Sequence, residues 1–292
     1  MPDPDRLCGA VFSVPDADGR PIALGGCEHW HGEPESLELS WGAARRFQLT
    51  ACVGGPDPGV ALDELLQLWC AHLAAASGAD DPDSAAVVVW PSRDVDGIRT
   101  LLRRGFAPRS VVAARRASPA SHGQLPPAPT GFDIRRASPA DVDTVTRLGL
   151  EVIRYDAHFG GVVDRPSTVA ALRAEMAAIL AEPAPWIWLA EREGCAIGVL
   201  IGEQPPARWI APLVGAGPVA YNMLTFVSHA DRGSGVAAAL VGYFHEAARK
   251  TGVPVTLLHY EQTNPLSAPF WARQGYRPLW TSWEARPACT VR

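Results

Sequence analysis

Residues 231–240 read Asp231-Arg232-Gly233-Ser234-Gly235-Val236-Ala237-Ala238-Ala239-Leu240 in this chain of 292 residues. They follow an apolar, strand-like run (221–227) and open an alanine-rich helical run (236–250). The small residues let a ligand approach the backbone, and the first turn of a helix presents N–H groups without an intrahelical partner. Such groups attract an anion, usually a phosphate or pyrophosphate. The stretch therefore predicts a phosphate-binding loop between a strand and a helix.

Composition excludes several classes of protein. The length suits two modest domains or one large domain, and 47% hydrophobic and 20% charged residues are typical of a soluble globular protein. A net charge of −5 offers no basic surface, so we expect neither a nucleic acid nor a membrane partner. Without a signal-like N-terminus or paired cysteine spacing, we expect a cytoplasmic monomer or homodimer with reduced thiols.

A segment rich in proline, alanine and serine divides the chain. It predicts a linker at 121–130, a first domain at 1–120 and a second at 131–292. Hydrophobic patterns after the linker predict an α/β architecture in the order βααββ–βαβαβ. The expected elements are strands at 132–136, 186–191, 196–202, 221–227, 253–260 and 276–283, and helices at 141–153, 167–181, 236–250 and 269–274.

Two nucleotide-binding patterns compete for the glycine loop. Gly233 to Ala238 fits the dinucleotide fingerprint G-x-G-x-x-A. The glycines, however, come five residues after the strand, and too little chain remains for further strand–helix units. Read from Arg232 instead, the loop is R-x-x-G-x-A. Downstream the sequence continues as Asn264-Pro-Leu-Ser267-Ala-Pro-Phe270-Trp271-Ala-Arg-Gln-Gly275-Tyr276. In these two ordered motifs the chain resembles the GNAT acetyltransferase superfamily.

The resemblance implies both the fold of the second domain and the molecule that donates the acyl group. It implies a GNAT fold for 131–292, a mixed central sheet whose strands splay apart between flanking helices. The implied cofactor is acetyl-CoA, the acyl donor, with its pantetheine arm in the gap of the sheet. Three groups of cofactor-binding residues follow: the backbone of Thr225, Phe226 and Val227 along the arm, Asn264 near its amides, and Arg232, Gly233, Ser234, Gly235, Val236, Ala237 and Ala238 around the pyrophosphate.

A damaged copy of the same pattern occurs in the first half. A shift of 170 residues places Gly105-Phe106 over Gly275-Tyr276. The loop at 54–61 has lost its arginine to Pro56, and Asp57 adds a charge that repels phosphate. These changes predict a truncated, degenerate GNAT-like α/β domain that does not bind CoA. It would cover a sheet edge or face, or form one wall of the substrate pocket.

The catalytic residues are less clearly marked. Many members of the superfamily have a carboxylate base five residues before the asparagine, and His259 occupies that position. His259 is either the base or a packed strand residue. Trp271 stands where the usual proton-donating tyrosine would be, which leaves Tyr260, Tyr276, Tyr221 or solvent as donor. Tyr260 adjoins His259, but neighbouring strand residues face opposite sides. We take His259 and Tyr260 as the catalytic candidates.

One segment after the first predicted helix of the second domain carries side chains that could bind the acceptor. Tyr155, Asp156 and His158 lie where superfamily members close over the acceptor, so they are the substrate-binding candidates, with a solvated helix terminus as the alternative.

Cys27, His29 and His31 alternate along a strand but lack a fourth ligand, so no metal is expected.

The sequence as a whole predicts an enzyme. It would be an acetyl-CoA-dependent N-acetyltransferase that acts on a small amine by direct transfer in a ternary complex. The acidic composition favours a cationic acceptor. The alternative is a noncatalytic acyl-CoA-binding sensor or interaction protein, which the tryptophan at position 271 favours.

Overall fold

The computed structural model describes residues 8–117, 131–215 and 217–291, and the chain forms two compact units. The first unit comprises Met1–Pro34, Trp41–Val111 and Pro278–Arg292, and the second Glu35–Ser40 and Val112–Arg277. The predicted linker at 121–130 lies outside the described residues. In the described part of the chain, no helix has the length and hydropathy of a membrane span.

The elements alternate between strands and helices. In chain order they are β1 (Ala10–Pro15), β2 (Pro21–His31), β3 (Arg45–Val53), α1 (Pro58–Ala75), β4 (Ser84–Pro91), α2 (Val95–Arg103), β5 (Ala107–Arg116), β6 (Asp133–Arg136), α3 (Val142–Ala157), α4 (Thr168–Leu180), β7 (Ile187–Arg192), β8 (Cys195–Glu203), β9 (Val219–Val227), α5 (Val236–Lys250), β10 (Val255–Glu261), α6 (Ser267–Arg273) and β11 (Arg277–Ala285).

The compact units do not follow the predicted boundaries at 120 and 131. β11 pairs antiparallel with β4, from Trp280 opposite Pro91 to Ala285 opposite Ala86, so the last strand belongs to the first unit. Strands in the first unit follow the order β1-β2-β3-β4-β11. The physical reason is that backbone hydrogen bonds join segments that are distant in sequence, which a consecutive division ignores.

The first unit has a core on one side of α1. Leu62, Leu65, Leu66, Trp69 and Leu73 recur at helical spacing and are fully buried. The helix begins at Pro58, and the Asp57 side chain accepts a hydrogen bond from the Val60 N–H at 3.1 Å. This carboxylate caps the helix N-terminus, so it occupies the position at which an anion would otherwise bind.

The second unit contains the glycine loop and two hydrophobic cores. Its strand order is β10-β9-β8-β7-β6. Leu240 and Phe244 of α5 belong to one core, and Leu148 and Ile153 of α3 pack with α4 in the other. The predicted helix at 236–250 has the observed bounds. α3 runs four residues beyond its predicted end at 153, because no helix breaker precedes Gly160 and Gly161.

The same order of elements occurs twice along the chain. β3-α1-β4-α2-β5 and β9-α5-β10-α6-β11 both run strand, helix, strand, helix, strand. In each set the first two strands pair in parallel. The second set is preceded by α3 and α4, whereas no α-helix precedes β3 in the described residues. This repetition is what a duplicated and truncated sequence predicts.

β9 and β10 separate part-way along their length. They form four parallel pairs, from Val219 opposite Val255 to Asn222 opposite Leu258. β9 then continues to Val227 and β10 to Glu261, and no strand of the described chain pairs with β9 on that edge. The register with β8 also shifts at this point, since Leu224 and Asn222 face consecutive residues of β8 and Met223 bulges. The predicted splay of the sheet is therefore observed.

Candidate functional site

The glycine loop has a conformation that requires glycine. Gly233 and Gly235 have φ values of 82° and 89°, a region that side chains disfavour. Within the described chain, no atom lies within 4 Å of a Cβ built at either residue. No side chain caps α5 at Gly235, so among the described residues its first N–H groups face outward without a side-chain acceptor. The loop and helix end form a cradle that can accept an anion.

Asp231 holds this loop in place. The Ser228 hydroxyl donates to its Oδ2 at 2.5 Å, and the Ser234 hydroxyl donates to its backbone carbonyl at 2.6 Å. Arg192, from the end of β7, forms an ion pair with the buried carboxylate. The sequence analysis missed this support because the arginine lies 39 residues away and no local motif marks it. The hydrogen bonds and the ion pair of Asp231 therefore hold the loop in its conformation.

Two contacts join the acceptor segment to the donor residues. The Arg232 guanidinium lies 5.0 Å from the centre of the Tyr155 ring, a cation–π distance. The Asn264 side-chain amide donates to Asp156 Oδ1 at 2.9 Å, across 108 residues of sequence. The four residues were candidates from separate sequence motifs, and the structure brings them together in these two pairs. His158 is exposed, and its side chain makes no hydrogen bond or ion pair with another described residue.

Asp156 is a carboxyl group with an altered pKa. Burial raises its pKa to about 6, against the opposing effect of the hydrogen bond from Asn264. Gly161, a few residues further on, faces the end of β10, where a Cβ would lie 2.3 Å from Glu261 Oε2. The close approach of these segments places the loop after α3 against the splayed end of β10.

His259 lies where β9 and β10 separate, and it pairs with Tyr221. The Tyr221 hydroxyl lies 3.0 Å from His259 Nδ1, and the indole of Trp209 stacks on the imidazole with ring centres 6.0 Å apart. Burial lowers the pKa of His259 to about 4, so the imidazole is neutral at physiological pH. It is therefore a weaker base than its sequence position suggests.

The other aromatic candidates face away from this pair. Tyr260, Trp271 and Tyr276 pack in the core beneath α5. The Tyr276 hydroxyl lies 3.0 Å from His245 Nε2 and 3.0 Å from Thr256 Oγ1. The structure therefore does not bring Tyr260 together with His259, because successive strand residues alternate between faces. Tyr221 is the tyrosine that meets His259.

The carboxylate of Glu203 lies close to Tyr221 and also interacts with that of Glu175. The Trp209 indole N–H donates to Glu203 Oε2 at 2.8 Å, and the Trp209 ring meets the Tyr221 ring edge-on at 4.9 Å. Burial, with the charge of Glu203 as a second cause, raises the pKa of Tyr221 and also that of Glu175. The Trp209 side chain is 58% exposed. An accessible aromatic ring thus stands beside negative charge that no described side chain neutralises by an ion pair.

The free edge of β9 leads into the glycine loop. Thr225, Phe226 and Val227 pair with Leu200, Val199 and Gly198 of β8 on one side. On the other side they lie beyond the last pair with β10, so backbone groups there face the gap. An extended, amide-containing chain could pair along this edge as a strand would.

The comparisons with known proteins agree with this geometry. Residues 156–276 match the model of the Acetyltransferase (GNAT) family. A GCN5-related N-acetyltransferase from Sphaerobacter thermophilus has a TM-score of 0.60 at 15% identity, over 95% of this chain and 81% of its own. A GNAT-family acetyltransferase from Colwellia psychrerythraea has a TM-score of 0.53 at 11% identity, over 94% and 85%. At these identities the likeness concerns the fold.

No curated protein matches the chain at a significant level. The family match covers the end of α3, the glycine loop and Asn264, and the related structures extend the GNAT-like fold to the N-terminal region. The chain has the mixed α/β GNAT fold, and its residues 156–276 match the GNAT acetyltransferase family model.

Proposed function

We propose that the protein is an acetyl-CoA-dependent N-acetyltransferase that transfers acetyl directly to a small cationic amine within a ternary complex. The observation that carries this proposal is the continuity of two features: the free edge of β9 leads directly into an uncapped helix N-terminus. An extended chain that ends in a pyrophosphate has both of the groups that these features would bind. Acetyl-CoA is such a molecule, and it would supply an activated thioester.

The residues that would hold the donor were all predicted from sequence. The backbone of Thr225 to Val227 would pair with the pantetheine amides. Residues 233–238 would donate N–H groups to the pyrophosphate, and Arg232 would add a charge-assisted hydrogen bond. Asn264 would contact the arm near the acceptor segment, since its amide already meets Asp156. The positive φ of Gly235 and the open space around it fit a backbone that a phosphate approaches closely.

We assign the proton-accepting role to Asp156. An alkylammonium has a pKa of about 10, so it must lose a proton before its nitrogen attacks the thioester carbonyl. The best base has a pKa close to the working pH, and the pKa of Asp156, about 6, is nearer to neutrality than that of His259, about 4. This assignment replaces the sequence-based choice of His259 as base.

We assign the proton-donating role to Tyr221. The C–N bond forms as the C–S bond breaks, and the departing sulfur then needs a proton. Burial raises the pKa of Tyr221, so its phenol remains protonated. With a proton on Nδ1, His259 donates to the phenol oxygen and leaves the phenol O–H to donate to sulfur. Solvent then returns a proton to the tyrosine. His259 acts through Tyr221, as a positioning residue.

The surroundings of Tyr221 favour a cationic acceptor. Glu203 and Glu175 raise the local negative potential, and binding a cation would relieve their mutual repulsion. The exposed Trp209 ring offers a face to an ammonium group. Amino sugars, polyamines and other small amine metabolites share this chemistry.

Purified protein incubated with acetyl-CoA and a panel of amines, while free thiol is followed, tests the function. We expect thiol release with at least one cationic amine, together with an acetylated product. Binding of acetyl-CoA without amine-dependent thiol release across the panel would favour the noncatalytic sensor instead.

Gly235→Asp should weaken CoA binding by at least about 100-fold, the loss of about two charge-assisted hydrogen bonds. A side chain there is strained by the positive φ, and its charge repels phosphate. Gly252→Asp is the matched control, because Gly252 also has a positive φ and no neighbour within 4 Å. Calorimetric titration with CoA measures both; equal affinity in the two variants would contradict the loop assignment. Arg232→Ala combined with Gly235→Asp should abolish binding.

Asp156→Asn should change how stability depends on pH. The carboxyl ionises above about pH 4 in the unfolded chain and about pH 6 in the folded one. Between these values the folded protein holds more protons, so ionisation of Asp156 lowers stability as pH rises. The variant should therefore gain stability relative to the parent from pH 4 to 6 and show a constant difference above. Thermal unfolding measures this. Asp143→Asn, the same substitution at an exposed site on α3, is the matched control.

Tyr221→Phe should lower kcat by about 100-fold, a typical contribution of general acid catalysis, with little change in the KM for acetyl-CoA. Tyr276→Phe is the control, since it makes the same chemical change at a different place, the core beneath α5. Steady-state kinetics on both variants measure the effect. An unchanged kcat in Tyr221→Phe would remove tyrosine 221 from the mechanism.

Glu203→Gln should raise the KM for a cationic amine by about 10-fold, since a charge-assisted contact contributes about 1.5–3 kcal/mol. The KM for acetyl-CoA should not change. The glutamine oxygen can still accept from Trp209, so the ring keeps its support. Glu246→Gln on the outer face of α5 is the control. If both variants keep the parental KM for the amine, Glu203 does not select the acceptor.

A further inference from the structure

Three side chains of types that can ligate a metal converge in the first unit, away from the residues of the proposed active site in sequence. Cys27 Sγ and one ring nitrogen each of His29 and His72 all lie within 4.8 Å of one another. The two histidine Nε2 atoms are 3.4 Å apart. Cys27 is buried, His72 is partly buried and His29 is exposed, so the group opens to solvent on one side.

The fold explains why these residues meet. Cys27 and His29 are two residues apart on β2, so their side chains share one face of the sheet. α1 packs across that face and supplies His72. The sequence analysis considered His31 as the third partner and expected no metal; the structure supplies a residue 43 positions from His29 in the chain.

We propose that Cys27, His29 and His72 form a binding site for a zinc-class divalent cation, with water as the fourth ligand. Tetrahedral coordination with Zn–N distances of about 2.0–2.1 Å separates two nitrogens by about 3.4 Å. The histidine nitrogens already have this separation. Cys27 Sγ lies within 4.8 Å of a ring nitrogen of each histidine, so rotation of the cysteine side chain alone would have to bring the sulfur to bonding distance. One thiolate and two imidazoles are donors that zinc prefers, whereas magnesium and calcium require oxygen.

The neighbours of the three residues suit metal ligands. The Trp69 indole N–H donates to Cys27 Sγ at 3.2 Å, a contact that stabilises a thiolate and orients it. Trp69 and His72 are three residues apart on α1, so they lie on the same helix face. The rings of Phe47 and Phe12 meet His29 and His72 edge-on, with centres 4.5 and 5.5 Å away. The imidazoles are therefore already oriented.

The two histidine nitrogens can also share a long hydrogen bond, since they are 3.4 Å apart and donor and acceptor atoms in such bonds are usually about 2.7–3.2 Å apart. The same separation matches the edge of a coordination tetrahedron around a cation. A bound cation would join β2 to α1, and because it binds the folded unit it would also raise its stability.

Cobalt(II) titration of the metal-stripped, reduced protein tests the proposal, because cobalt replaces zinc and reports thiolate ligation by a charge-transfer absorption. We expect one cobalt per chain, displaced by zinc, with that absorption present. It should be lost in Cys27→Ser. His72→Ala should weaken binding by more than the roughly 10- to 100-fold cost of losing an outer-shell partner.

Two controls keep the outcome specific. Cys70→Ser on α1 and His31→Ala at the end of β2 should bind cobalt as the parent does. X-ray absorption of the zinc form should show one sulfur and two imidazole ligands. If Cys27→Ser does not fold, His72→Ala becomes the deciding variant for metal binding. The His72 side chain is only partly buried, so its removal should leave the core intact. Absence of thiolate absorption in the parent, or equal affinity in His72→Ala, would overturn the proposal.

Discussion

The separation of β9 from β10 after four backbone pairs is the constraint on which the site depends. Up to Asn222 and Leu258 the strands satisfy each other's hydrogen bonds; beyond them the edge of β9 needs another partner. The bulge at Met223 marks the change in direction. Tyr221 and His259 lie where this gap opens, and the glycine loop lies where β9 ends. Unpaired backbone groups along the gap would cost free energy unless a ligand or solvent accepts and donates hydrogen bonds there. The gap therefore offers an extended ligand a row of backbone partners.

The two strand–loop–helix segments of the chain differ chemically at the N-terminus of the helix. At Asp57 the protein's own carboxylate caps α1. At Gly235 no side chain among the described residues caps α5. A helix N-terminus attracts negative charge in both cases, and the first unit supplies that charge itself. The metal proposal gives this unit a chemistry of its own, since the residues involved lie away from its capped loop.

Much of the fold could be predicted from sequence because its signals are local. Helix α5 has its predicted bounds, and the strand before the glycine loop begins two residues earlier than predicted and ends at the predicted residue. α3 was predicted four residues too short, since its end depends on packing more than on a cap. The roles of His259 and Tyr260 could not be settled, because a strand pattern shows that neighbours face opposite sides without showing which side meets the gap.

The sequence by itself determined the arrangement of strand, glycine loop and helix and the GNAT-like motifs at Arg232, Gly235 and Asn264, because these signals lie in short segments whose spacing can be read locally. Only the tertiary structure decided which side chains meet. It paired Asp156 with Asn264 across 108 residues, and it joined the last strand to the first unit. Such contacts, and the pKa shifts that burial causes, depend on how distant segments pack. A local pattern carries no record of that packing.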